Sequence, residues 1–291
     1  MKPTHVLRVC SAIYLVATLS APVVAHTVVL PQSILTPSTA YYTDRIGGGL
    51  GPVAVMTGGG HASGVGDSTG RNDDGFSGPI DLGFTFNFFG TDYSTFFANN
   101  NGNISFGSGV SAYLPTGPAG TTTPVIAPWF DNVDTRGAKS GVMHVRTDIA
   151  NELIVTWDNV GHFDKHDNEL ASFQLVVRGA DFEVPMGEGA VGFFYKDMPW
   201  DSTNTSGGAA VGFDNGHGHG AVLAGSAHEG LNRVVANHHI WFDESLAPVP
   251  QVPEPKTNAL LLAGLGVLGL MARRRHSSRH ISCSCDRLAS H

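Results

Sequence analysis

Through the middle of the chain, apolar residues fall at every second position. Leu82, Phe84, Phe86 and Phe88 alternate with small or polar residues, as on a strand with one buried face. Val142, His144 and Arg146 share one side of a second such segment, and Leu153, Val155 and Trp157 alternate on a third. The turn formers Asp148 to Asn151 lie between them, so the pair predicts a hairpin. The same period recurs at Phe173, Leu175 and Val177, and again at Val191, Phe193 and Tyr195. Asn103 to Phe106, Ala209 to Phe213 and His239 to Phe242 are shorter strand candidates. Val125 to Phe130 is apolar throughout and reads as a buried strand or its edge, with Pro128 limiting its pairing. Asn99-Asn100-Asn101-Gly102 is a turn, because Asn and Gly tolerate positive φ. No amphipathic helical period stands out. The expected fold is all-β, a sandwich-like single domain over residues 71–245, with a barrel as the alternative.

The flanks follow other rules. Residues 26–70 are rich in Gly, Ser and Thr, with Gly47-Gly48-Gly49 and Gly58-Gly59-Gly60 as punctuation, and predict an irregular lead-in holding one or two strands. Residues 1–25 carry Lys2 and Arg8, then an apolar run from Val9 to Val24. Val23 and Ala25 are small residues before His26. This is the pattern of a secretory signal helix cleaved between Ala25 and His26; a retained anchor or buried helix is the alternative. A proline-rich linker, 246–257, contains Pro253-Glu254-Pro255. An apolar run from Asn258 to Ala272 follows, closed by Arg273-Arg274-Arg275. As a helix that run spans roughly 22 Å, short of the roughly 30 Å hydrocarbon core, and snorkelling arginines would make up the difference. Segment 258–275 is therefore expected to be a short transmembrane helix. Its arginines and the tail 276–291 would lie on the cytoplasmic side. Gly264 to Gly269 fits G-x-G-x-x-G, but a dinucleotide site needs a strand before it and a βαβ unit around it. Small residues in a bilayer helix explain it better.

Charge narrows the function. Between His26 and Pro255 the chain has 9 basic and 24 acidic residues, a balance of −15. That excludes nucleic acid as a partner, since phosphates require clustered Lys and Arg. The three cysteines, Cys10, Cys283 and Cys285, all fall outside the expected domain. An exported domain without a disulfide must depend on its core.

Two family resemblances rest on these residues. Pro253-Glu254-Pro255, the run Leu260 to Leu270 and Arg273 to Arg275 resemble the PEP-CTERM sorting signal, although here the chain continues to His291. The resemblance implies an exosortase-type membrane protease as partner, transient anchoring in the inner membrane, and delivery to the cell surface. Arg71 to Gly75, Phe84 to Gly90, Asn99 to Phe106, Ile126 to Thr135, Val155 to Val160, Phe173 to Val177 and Val211 to Phe213 together resemble the nidogen-like (NIDO) domain. That resemblance implies an extracellular, non-enzymatic module with an adhesive or structural role, in a biofilm or exopolysaccharide setting. It assigns no cofactor and no ligand.

Other candidates come from the residues alone. Asp131 and Asp134 supply oxygens that suit calcium, but the spacing misses an EF-hand, and turn formation by Asp is the plainer reading. His162, Asp164, His166 and Asp167 share a loop, His217 and His219 a second one, and His238 adjoins His239. Such sets can bind Zn²⁺ or Ni²⁺, and exposed loop histidines are the alternative. Cys283 and Cys285, with His276, His280 and His291, could hold a soft metal beyond the anchor. No G-x-S-x-G, P-loop or cysteine nucleophile occurs in the domain. A glycosidase's paired acids cannot be recognised by spacing alone. A carbohydrate- or calcium-binding, lectin-like domain is the second reading. It predicts exposed aromatics, Trp200 or Tyr195, in a cleft near Asp131.

Overall fold

The computed structural model describes residues 26–59, 64–113, 121–201 and 207–250. The signal segment, Pro253 to Pro255, Arg273 to Arg275 and the cysteines lie outside the described residues. Among the described residues no helix is long and apolar enough to cross a membrane.

Two sheets pack face to face. The first has seven strands: β1 (His26–Leu30), β3 (Ile80–Phe88), β4 (Thr91–Asn99), β5 (Asn103–Ser105), β6 (Pro124–Phe130), β11 (Ala210–Asn215) and β12 (His219–Leu223). Their spatial order is β1-β12-β11-β6-β5-β4-β3. The second has six: β2 (Thr36–Pro37), β7 (Met143–Ile149), β8 (Glu152–His162), β9 (His166–Arg178), β10 (Val191–Tyr195) and β13 (His238–Phe242). Their order is β2-β13-β10-β9-β8-β7. Two five-residue helices, α1 (Tyr42–Ile46) and α2 (Leu231–Val235), sit in connections. The sandwich predicted by the alternating pattern is the fold.

One face of each sheet supplies the core. Leu153, Val155 and Trp157 on β8 pair with Val177, Leu175 and Phe173 on β9, and all six are fully buried. Trp157 stacks on Phe173 with ring centroids 5.0 Å apart. Burying such side chains is worth about 1.5–3 kcal/mol each, which lets the domain dispense with disulfides. Three deep aromatics hydrogen-bond to backbone: Trp157 Nε1 donates to Asn100 O, Trp200 Nε1 to Val160 O, and Tyr195 OH to Pro128 O, whereas the buried Trp129 Nε1 has no partner among the described residues.

Three local expectations change. Phe84 is only half-buried, although Leu82, Phe86 and Phe88 are in the core. The β3–β4 register breaks between Asp81 and Phe86, and Gly83 takes φ +76. Beside this bulge Phe84 still packs against the core but is left partly exposed. Pro128 does not keep β6 at an edge. β6 runs between β11 and β5, and the register shift opposite Ala210 and Gly212 accommodates the missing N–H. The lead-in 26–70 folds into the body: it supplies β1 and β2, and Leu30, Tyr41, Tyr42, Ala54 and Met56 are buried. Leu246, at the start of the linker, also packs against the core.

Candidate functional site

Three polar segments meet at one end of the sandwich. They are the loop Asn72 to Asp74, the turn Asn99 to Asn103 between β4 and β5, and the loop Asp131 to Arg136 after β6. Each follows from local chemistry. Asn and Asp side chains bond to nearby backbone and suit turns, and Gly102 (φ +74) closes the β4–β5 connection.

Hydrogen bonds join the three. Asn101 Nδ2 donates to Asp74 Oδ1 at 2.7 Å, and Val133 N–H donates to Asn101 Oδ1 at 3.0 Å. Asn100 Nδ2 donates to Val133 O. Asn72 N–H donates to Thr135 Oγ1 at 2.7 Å, and the Thr135 hydroxyl donates back to Asn72 O at 3.0 Å. Asn99 Nδ2 donates to Asn103 Oδ1 at 2.7 Å. Buried amides satisfied in this way fix the geometry of all three loops.

The charged part centres on Arg136. Its Nε donates to Asp134 Oδ1 at 2.8 Å and its terminal nitrogen to Asp134 Oδ2 at 2.5 Å. The same nitrogen reaches Asp73 Oδ2 at 2.5 Å. Asp134 also accepts from Lys165 N–H at 2.9 Å, and Asp131 accepts from Asn132 N–H at 2.8 Å. Both aspartates are fully buried. The calcium candidate Asp134 is thus engaged by a guanidinium and an amide. Among the described residues no three His, Cys, Asp or Glu side chains are placed to share a metal ion.

Asp73 is the tense member of the group. Burial, then the Asp134 and Asp74 carboxylates, push its pKa up to about 7, and Arg136 opposes them. Arg136 is already held by two bonds to Asp134, so it neutralises Asp73 incompletely. The unfolded value is 3.8. Between these two values the folded protein holds a proton that the unfolded chain releases, so stability falls as pH rises through the window. Asp73→Asn removes that titration. Melting temperatures at pH 5 and pH 8 should fall less in the variant than in the parent, and an equal fall in both would dismiss Asp73 as the source.

The other candidates separate. Trp200 and Tyr195 are 3% and 0% exposed, so neither offers the stacking face that the lectin reading predicts. His162 and His166 stack at 4.7 Å across the β8–β9 hairpin, and His162 leans on Trp200. Burial and the neighbouring His166 lower the pKa of His162, which suits a packing role. Asn215 Oδ1 caps the backbone N–H groups of His217 and His219. His238 Nδ1 bonds to Ala236 O at 2.8 Å, and the His239 ring stacks on Phe194 at 5.5 Å. At the opposite end of β9, a cleft of about 600 Å³ runs beside the β3 bulge, lined by Phe84, Asn87, Asn151, Arg178, Asp181 and Glu244 among others. The sequence marks the bulge only through Gly83, and it does not show that Arg178 lies in the cleft wall.

Comparison with known proteins gives two matches. Residues 251–275 match the PEP-CTERM protein-sorting motif. This motif marks a secreted protein, anchored in the membrane before exosortase processing and then released to the cell surface. Residues 54–241 match the NIDO-related family. Both are non-catalytic types of module. No solved structure matches the chain. The three polar segments joined here lie inside the matched range, and with more than half of its length matched the chain belongs to the NIDO-related family.

Proposed function

We propose that this chain is a non-enzymatic surface module that works by contact, as an adhesive or structural component of the exopolysaccharide matrix outside the cell. The observation that carries the reading is the union of a NIDO-related body and a sorting signal in one chain. The hydrogen-bonded end of the domain supports it. The acids and amides that could serve a catalyst there are turned inward and bonded to one another. They brace loops, and the acidic outer surface is left to meet partners.

The sorting step is assigned to Pro253, Glu254 and Pro255, which an exosortase-type protease recognises, and to Arg273, Arg274 and Arg275, which hold the apolar run in place. Replacing Pro253, Glu254 and Pro255 with alanine should leave an unprocessed precursor in the membrane fraction. Cell aggregation should fall to the level of a strain lacking the chain. Immunoblots of membrane and medium fractions read the first effect, and settling of cultures the second. Continued processing of the variant would refute the sorting assignment. Unchanged aggregation in the deletion strain would refute the adhesive one.

A further inference from the structure

Four strands end the two sheets: β1 and β3 in one, β2 and β7 in the other. A terminal strand presents unpaired backbone groups, and soluble proteins blunt it. Three of the four are blunted. β2 is two residues long and ends at Pro37. The outer edge of β7 is covered by the segment at 52–54: Val145 N–H donates to Pro52 O at 2.9 Å and Ala54 N–H to Met143 O at 2.8 Å. β3 is broken by the bulge at Gly83 and carries Asp81. Among the described residues β1 has no such device. It reads His26-Thr27-Val28-Val29-Leu30, pairs with β12 in unbroken parallel register, and leaves Val28 45% and Val29 64% exposed.

The backbone of β1 shows which groups point outward. His26 N–H donates to Gly218 O at 2.9 Å, and Leu30 O accepts from Ala224 N–H at 2.8 Å. In a strand, successive residues turn their N–H and C=O to opposite edges. His26, Val28 and Leu30 therefore face β12, while Thr27 and Val29 face outward. These outward groups are self-complementary. If two β1 strands meet antiparallel about a two-fold axis at Val28, Thr27 of each lies opposite Val29 of the other. Each such pair exchanges two N–H···O bonds, four in all, and the two Val28 residues form the close, non-hydrogen-bonded pair on the axis.

We propose that β1 is a self-association edge, pairing with β1 of a second copy in this register. The contact is isologous and closes at a dimer. Five residues a side make a small interface of the weak class. Anchoring in the membrane before processing raises the local concentration that weak contacts need. Charge favours this strand over the rest of the surface. The body carries −15 between His26 and Pro255, whereas β1 has no carboxylate and lets two acidic bodies meet through an uncharged seam.

The test uses the full-length exported chain with Cys283→Ser and Cys285→Ser, so that no native thiol remains once the signal segment is removed. Val28→Cys is added, and cells are treated with copper-phenanthroline as oxidant. Val65→Cys, 43% exposed elsewhere on the surface, is the control for random collision. A disulfide-linked dimer should form on non-reducing gels with Val28→Cys, at least tenfold more than with Val65→Cys. Adding Val29→Pro to Val28→Cys removes an outward N–H and leaves the β1–β12 bonds intact, so the dimer band should disappear while the monomer stays folded and exported. No dimer band, equal bands at both positions, or a band that survives Val29→Pro would each overturn the proposal.

Discussion

Gly102→Ala should abolish the folded domain, whereas Gly107→Ala, five residues away, should cost about 1 kcal/mol. Both glycines have positive φ, +74 and +82, so both substitutions carry the left-handed strain of about 1–2 kcal/mol. Their surroundings differ. A Cβ on Gly107 meets nothing within 4 Å, while one on Gly102 would lie 1.7 Å from Trp129 O and 2.7 Å from its carbonyl carbon. The obstacle is backbone, and no rotamer relieves it. Gly102 O also accepts from Trp129 N–H at 3.2 Å, so retreat of either chain breaks that bond. It would also pull the neighbouring Asn100 away from Trp157 and Val133. The combined loss should exceed about 4 kcal/mol, the range reserved for strain and disruption of a core. Urea unfolding of the two variants measures the difference. A Gly102→Ala protein with stability close to that of Gly107→Ala would show that the turn does not depend on this approach.

Elements with a strong local period were legible in the sequence. The β7–β8 hairpin, the buried faces of β8, β9 and β10, and the Asn99–Gly102 turn all follow from alternation or turn chemistry within a dozen residues. What depended on distant register was not legible. The first strand pairs with β12, some 190 residues later, and nothing in His26 to Leu30 names that partner. Bulges were missed because period-2 reasoning assumes an unbroken ladder: Phe84 fits the alternation, yet beside the Gly83 bulge it packs on the core only in part. The site was half legible. Its three segments were visible as Asn- and Asp-rich motifs, and Arg136 stands two residues from Asp134. Their convergence is a tertiary fact, and so is the engagement of Asp134 by Arg136 in place of the oxygen donors a calcium ion would need. Burial of Trp200 and Tyr195 likewise comes from packing that composition does not reveal.

The same lesson in register governs the second large effect, at Arg178. This residue and Glu152 lie 26 positions apart and become partners because β8 and β9 pair them directly. Both side chains are 0% exposed. Arg178 Nε donates to Glu152 Oε1 at 2.9 Å, and its terminal nitrogens donate to Gly189 O, the Tyr42 hydroxyl and Glu188 Oε2. Its guanidinium lies 4.4 Å from the Trp241 ring centroid. Arg178→Leu removes all of this and leaves Glu152 buried, with only the Tyr42 hydroxyl donating to it at 2.8 Å. Glu188 keeps its pairing with Arg45 at 2.6 Å, so the stranded charge is that of Glu152. Breaking a buried pair from one side costs about 3–5 kcal/mol, while replacing both partners by apolar groups is often close to neutral. Arg178→Leu should therefore lower the melting temperature by about 10 °C at this domain size, and adding Glu152→Leu should restore most of it. Thermal melts of the two single variants and the double variant complete a mutant cycle. A double variant no more stable than Arg178→Leu alone would mean that the arginine acts through its packing on Trp241 and not through the charge it neutralises.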